Sequence, residues 1–125
     1  METETEVLVV GSGPGGSVTA AVLAEAGFDV LICEEGQWHD YGTFPQYSNQ
    51  QMAAQYRCAG LTATFGRPPI AYAEAQCAGG GSEINSGLYH RPPPELLTNW
   101  RDTNEIQDLG ETELEEHSVA IEAAL

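Results

Sequence analysis

The residues best suited to chemistry in this chain are a set of glycines and one carboxylate. Gly11-Ser12-Gly13-Pro14-Gly15-Gly16 follows directly on the apolar run Val7-Leu8-Val9-Val10, and Glu34 closes a second run, Val30-Leu31-Ile32-Cys33. A glycine at 11 lets the chain turn tightly off a strand, and one at 13 lets backbone N–H groups approach a pyrophosphate. A glycine at 16 lets the following helix pack closely on the strand. The helix N-terminus presents free N–H donors and a partial positive charge to phosphate oxygens. Glu34 stands 23 positions after Gly11, where a carboxylate accepts hydrogen bonds from both ribose hydroxyls. Strand, glycine turn, helix, strand and terminal acid, in that order, predict a dinucleotide site. The bland alternative is a glycine-rich turn in an unrelated α/β domain.

These residues need elements to hold them. The first strand, about Glu6 to Val10, is apolar on both faces, as a central parallel strand covered by helices should be. A helix over about Gly15 to Ala26 ends at Gly27, a suitable C-terminal cap, and its stripe places Val18 and Val22 towards the sheet. Asp29 to Cys33 reads as the second strand, with Cys33 a buried apolar filler. From Gln37 to Cys77 the pattern dissolves among glycines and prolines, with one short helix expected over Met52 to Tyr56. Regularity returns at Gly79-Gly80-Gly81-Ser82-Glu83-Ile84-Asn85, where a second close approach of backbone to ligand is expected, with Ser82 as a cap. A flexible surface loop is the alternative there. Glu95 to Trp100 resumes as a helix behind Pro92-Pro93-Pro94. Glu111 to Ala124 reads as an amphipathic surface helix carrying Leu114, Val119, Ile121 and Leu125. The fold class is α/β: an incomplete Rossmann-like FAD/NAD(P)-binding domain, with a βαβ unit over 5–36, an irregular excursion over 37–78, and the second glycine motif and helices over 79–125.

Composition narrows the partners. The chain has 125 residues, a formal charge of −15, and 19 acids against four basic residues, all arginine. Nucleic acid and anionic membrane surfaces would repel it. The charge is either plain solubility or adaptation to a high-salt cytosol, where screening shortens to about 3 Å; the absence of lysine tilts towards the second. Cys33, Cys58 and Cys77 are odd in number and lack C-x-x-C spacing, against a disulfide framework or a metal site. No run approaches the ~20 apolar residues needed to span a bilayer, and the acidic start is unlike a secretory signal. The expected location is cytoplasmic.

With both motifs in view, the chain resembles the glucose–methanol–choline oxidoreductases, FAD-dependent enzymes that oxidise alcohols. Leu31-Ile32-Cys33-Glu34-Glu35-Gly36 resembles that family's "L-L-E-A-G", and Gly79 through Arg91 is similar to "G-G-S-S-x-I-N-G-x-x-Y-x-R", with Trp100 in the place of a downstream tryptophan. The resemblance covers roughly Thr5 to Arg101. It implies FAD as cofactor, with Gly11, Gly13, Gly15 and Gly16 at the pyrophosphate and Glu34 and Glu35 at the adenosine ribose end. Gly80, Gly81, Ser82 and Asn85 would line the flavin end. Gly81 replaces a family serine, Ser86-Gly87 replaces a common Gly-Met pair, and Ile84 occupies the place of a histidine that in some members is bonded to the flavin.

Family members are several times longer, and their catalytic histidine comes later in sequence. His39, His90 and His117 are poor substitutes: one lies in the irregular segment, one in a variable slot and one on an acidic helix. The expectation is a fragment without catalytic residues, inactive alone, whose small-molecule alcohol substrate and complementary downstream polypeptide belong to a complete enzyme. A non-catalytic nucleotide-binding module or pseudoenzyme, and half of an NAD-dependent dehydrogenase, are the other readings.

Overall fold

The computed structural model describes residues 4–107 and 109–123, in two compact units that divide after Gly87. The first unit is a partial α/β domain. Its strands β1 (Val7–Val10) and β2 (Val30–Cys33) pair in parallel, with Val7 opposite Val30 and Val10 opposite Cys33. Parallel neighbours require a crossover, and helix α1 (Pro14–Glu25) supplies it. Pro14 opens α1 at a position where no intrahelical N–H bond is lost. Gly27 closes it with φ +95°: its N–H donates to the Ala24 carbonyl, and the Phe28 N–H donates to the Leu23 carbonyl. That pair of bonds is a Schellman cap, and the left-handed φ is the reason a glycine stands there.

The segment after β2 is more ordered than its sequence implies. Helix α2 (Asn49–Gln55) starts under a Ser48 cap, whose Oγ accepts from the Gln51 N–H at 3.1 Å. A 3₁₀ turn (Arg57–Gly60) and a two-residue ladder of β3 (Thr62–Ala63) with β4 (Ala71–Tyr72) follow. The return is stitched to the outgoing chain: the Arg57 N–H donates to the Glu74 carbonyl at 2.8 Å and the Gln76 N–H to the Gln55 carbonyl at 2.8 Å. Short helix α3 (Gly81–Ile84) then carries the second glycine motif.

The second unit holds α4 (Pro94–Asn104) and α5 (Glu111–Glu122). Arg91 forms a bidentate pair with Glu122, both bonds at 2.6 Å, and a further pair with Glu115, which ties the chain before α4 to α5.

Several expectations about inward faces are corrected. Val18 and Val22 are exposed, and Gly16, Ala20 and Leu23 form the inner side of α1, where the small Gly16 and Ala20 permit a close approach to the strands. Cys33 is exposed rather than a buried filler. Val10 is 82% and Leu8 57% exposed, so the face of β1 that carries them is not covered by the described residues, while Val7 and Val9 on the other face are half-buried. On α5 the inward positions are Leu114 and Ser118, while Val119 and Ile121 are exposed. Ala124 and Leu125 lie outside the described residues.

Candidate functional site: two glycine motifs in contact

The phosphate turn is built as its sequence requires. The Gly11 N–H donates to the Cys33 carbonyl at 2.7 Å, which fixes the turn at the end of the sheet. Gly13 is the residue before α1, with extended backbone and no side-chain cap, so the N–H groups of Gly15 and Gly16 lack intrahelical acceptors. A Cβ built on Gly11, Gly13 or Gly15 would meet nothing within 4 Å. At these positions the missing side chain opens the space in front of backbone donors. Gly16 is different: a Cβ there would stand 2.0 Å from the Gly11 carbonyl oxygen and 3.3 Å from a Val9 methyl. Its missing Cβ serves packing.

Glu34 sits at the tip of β2 and is turned towards the first motif. Its Oε2 accepts from both the Ser12 N–H and the Ser12 hydroxyl at 2.8 Å, and its Oε1 accepts from the Gly36 N–H at 2.9 Å. The Ser12 and Gly36 amides, with the Ser12 hydroxyl, favour the charged form and hold the carboxyl down at about 2. A carboxylate has about four acceptor positions, so Oε1 keeps one for a further hydroxyl. Glu35 points elsewhere, into an ion pair with Arg57, which also holds Glu74 at 2.6 Å.

The second motif comes back onto the first. Gly80, with φ +59°, passes so close that a Cβ on it would be 3.1 Å from Gly13 Cα, and the Gly79 N–H donates to Ser12 Oγ at 3.0 Å. Gly81, Ser82 and Asn85 lie on or just after α3. Ser82 does not cap that helix, correcting the expectation; Gly80 precedes it, and the Ser82 hydroxyl donates to the Gly79 carbonyl at 2.7 Å. Asn85 Oδ1 accepts from the Gly87 N–H at 2.7 Å. An open cleft of about 460 Å³ beside this segment is lined by Ala73, Glu74, Ala75, Gly81, Ile84 and Asn85.

The packing role of Gly36 was not visible in its motif. A Cβ on Gly36 would be 2.3 Å from the backbone of Cys77, which is 1% exposed. Gly36 therefore lets the returning chain cross the end of β2, where Gln37 and Cys77 form a parallel bridge. Burial, with Glu83 and Glu34 nearby, pushes the Cys77 thiol up, which favours the neutral form suited to packing. The signal available was a glycine directly after two acids at a strand end. His39 packs edge-on against Phe44 at 5.1 Å in the excursion, and His117 is exposed on α5. Among the described residues no cluster of His, Cys, Asp and Glu has the arrangement of a metal site.

The arrangement therefore offers open backbone donors beside a helix N-terminus, a charged carboxylate at the adjacent strand tip, and a second glycine segment against both. Residues 4–120 match the family described as FAD binding domain. The chain belongs to that family. FAD is its cofactor, and the likeness extends to glucose–methanol–choline type enzymes. An uncharacterized GMC-type oxidoreductase of Sinorhizobium fredii is 40% identical over 117 residues, covering 94% of this chain and 23% of that protein. A long-chain-alcohol oxidase of Arabidopsis thaliana is 33% identical over 110 residues, covering 88% of this chain and 15% of the relative. The crystal structure of pyridoxine 4-oxidase from Mesorbium loti superimposes with a TM-score of 0.64 at 25% identity, over 89% of this chain and 23% of that one. The chain thus spans less than a quarter of the length of each of these relatives.

Proposed function

We propose that this chain is the FAD-binding part of a flavin-dependent oxidoreductase acting on the CH–OH group of alcohols, with a Rossmann-type dinucleotide fold completed by further chain. The observation that carries the reading is the meeting of the two motifs: Gly80 against Gly13, and Gly79 bonded to Ser12. A turn that bound only phosphate would need no second glycine segment beside it.

In this reading Gly13, Gly15 and Gly16 give their amides to the pyrophosphate, and Glu34 accepts from an adenosine ribose hydroxyl through the free position on Oε1. Gly80, Gly81, Ser82 and Asn85 face the ring end, beside the cleft of about 460 Å³. Glu35 serves through its pair with Arg57, holding the excursion to the strand tip. When bound, FAD supplies the acceptor for a hydride from the carbinol carbon. The group that takes the hydroxyl proton is assigned to the completing polypeptide, because His39 packs against Phe44 and His90 and His117 are exposed side chains. The exposed faces of β1, β2 and α1, with Leu8, Val10, Val18, Val22 and Ile32 each at least 40% exposed, support completion by a downstream polypeptide. Three free thiols fit the reducing cytoplasm.

The test compares the 125-residue chain with a protein in which it is joined to the downstream part of a related oxidoreductase. The joined protein should be yellow and should reduce a dye with a panel of alcohols, and the short chain should do neither. Alcohol turnover by the short chain, or a colourless joined protein that folds, overturns the reading.

A further inference from the structure

Two motifs far apart in sequence are joined by one hydroxyl. The Gly79 N–H donates to Ser12 Oγ at 3.0 Å across 67 residues, and the Ser12 hydroxyl donates to Glu34 Oε2 at 2.8 Å. The direction of this relay is fixed, because an amide N–H only donates and an ionised carboxylate only accepts. The hydroxyl therefore has one orientation that satisfies both neighbours. Its bond to a charged acceptor polarises the O–H and makes Oγ a better acceptor for the amide. The neighbouring bonds do not duplicate it: Ser82 bonds within its own loop at Gly79, and the Gly80–Gly13 approach is van der Waals contact.

We propose that Ser12 is a positioning residue whose hydroxyl latches the start of the second glycine motif to Glu34, so that both motifs are held together before a cofactor arrives. Its consequence for FAD rests on the function proposed above; the latch itself is a property of this chain. Alanine at 12 keeps the backbone bond from residue 12 to Glu34 and removes both hydroxyl bonds. Threonine keeps the hydroxyl.

Amide hydrogen exchange on the 125-residue chain, its Ser12→Ala variant and its Ser12→Thr variant reads the latch directly. Loss of a hydrogen bond in a charge-assisted chain should speed Gly79 exchange roughly ten-fold in Ser12→Ala. The Ala78 amide, bonded to the Gln37 carbonyl at 3.0 Å, should be little changed, and Ser12→Thr should restore the protection of Gly79. Equal Gly79 exchange in wild type and Ser12→Ala overturns the proposal, as does free-chain exchange at Gly79 in the wild type. In the joined protein, Ser12→Ala should weaken FAD binding roughly ten-fold, with rescue by threonine. A joined wild-type protein that binds no FAD would sink the proposed function, while the exchange result would still decide the latch.

Discussion

At the residue scale, glycines in the same motif carry opposite duties, and substitution separates them. A Cβ on Gly13 meets open space, whereas one on Gly16 meets the Gly11 carbonyl at 2.0 Å. In the joined protein stripped of flavin, Gly13→Val should leave the unfolding free energy within about 0.5 kcal/mol, and it should abolish FAD retention on reloading. Gly16→Ala should instead cost about 1–3 kcal/mol, because α1 must move off the strand. Urea titration with flavin fluorescence distinguishes them; equal effects from both would remove the distinction. Glu34 sets a pH dependence whose sign follows from its partners. Its carboxyl is lowered from 4.5 to about 2, so its stabilising contribution is complete above pH 4.5 and fades as pH falls from there towards 2. The difference in urea midpoint between wild type and Glu34→Gln isolates it from the other carboxylates. That difference should be constant above pH 5 and shrink below about pH 4, where the unfolded chain takes up the proton and the folded carboxylate does not. A gap unchanged down to pH 2 would remove the Ser12 and Gly36 bonds as its cause.

At the element scale, the βαβ unit was legible because each boundary has a local chemical reason. Pro14 and Gly27 bracket α1, and β1 and β2 lie within one residue of their expected limits, since apolar runs end at glycine or acid. The inward face of α1 was not legible. Hydrophobic spacing selects Val18 and Val22, but contact distance is set by Gly16 and Ala20, and both valines are left facing outwards. The Ser48 cap and α2 were only partly visible, since the Gln-rich run Asn49-Gln50-Gln51 has little periodicity, while the ladder of β3 and β4 is too short to leave a pattern. The glycine sites were legible by type. Their pairing through Ser12, and the crossing at Gly36, depend on a chain return across some forty residues that spacing cannot encode.

At the scale of the whole molecule, the dominant quantity is charge. Three of the four arginines are engaged: Arg57 with Glu35 and Glu74, Arg91 with Glu115 and Glu122, and Arg101 with Asp102. With 19 acids against four arginines, most carboxylates nevertheless have no cationic side chain to balance them. Salt acts on both sets. Exposed ion pairs contribute only about 0–1 kcal/mol each, so screening them costs little. Screening the repulsion among the many unpaired acids, densest from Asp102 to Glu122, relieves a larger and more numerous set of interactions once the Debye length falls to about 3 Å. Raising potassium chloride from dilute buffer to molar concentration should therefore slow proteolysis of the chain, with the largest protection in α4 and α5. Replacing Glu113 and Glu116 by Gln should reproduce part of that protection at low salt. The measurement is cleavage rate against salt, with fragments mapped by mass spectrometry and protease activity calibrated on an uncharged peptide at each concentration. Equal resistance at both extremes would leave the acids as plain solubility and remove the case for a salt-adapted chain; faster cleavage in high salt would show that the arginine pairs outweigh the repulsion.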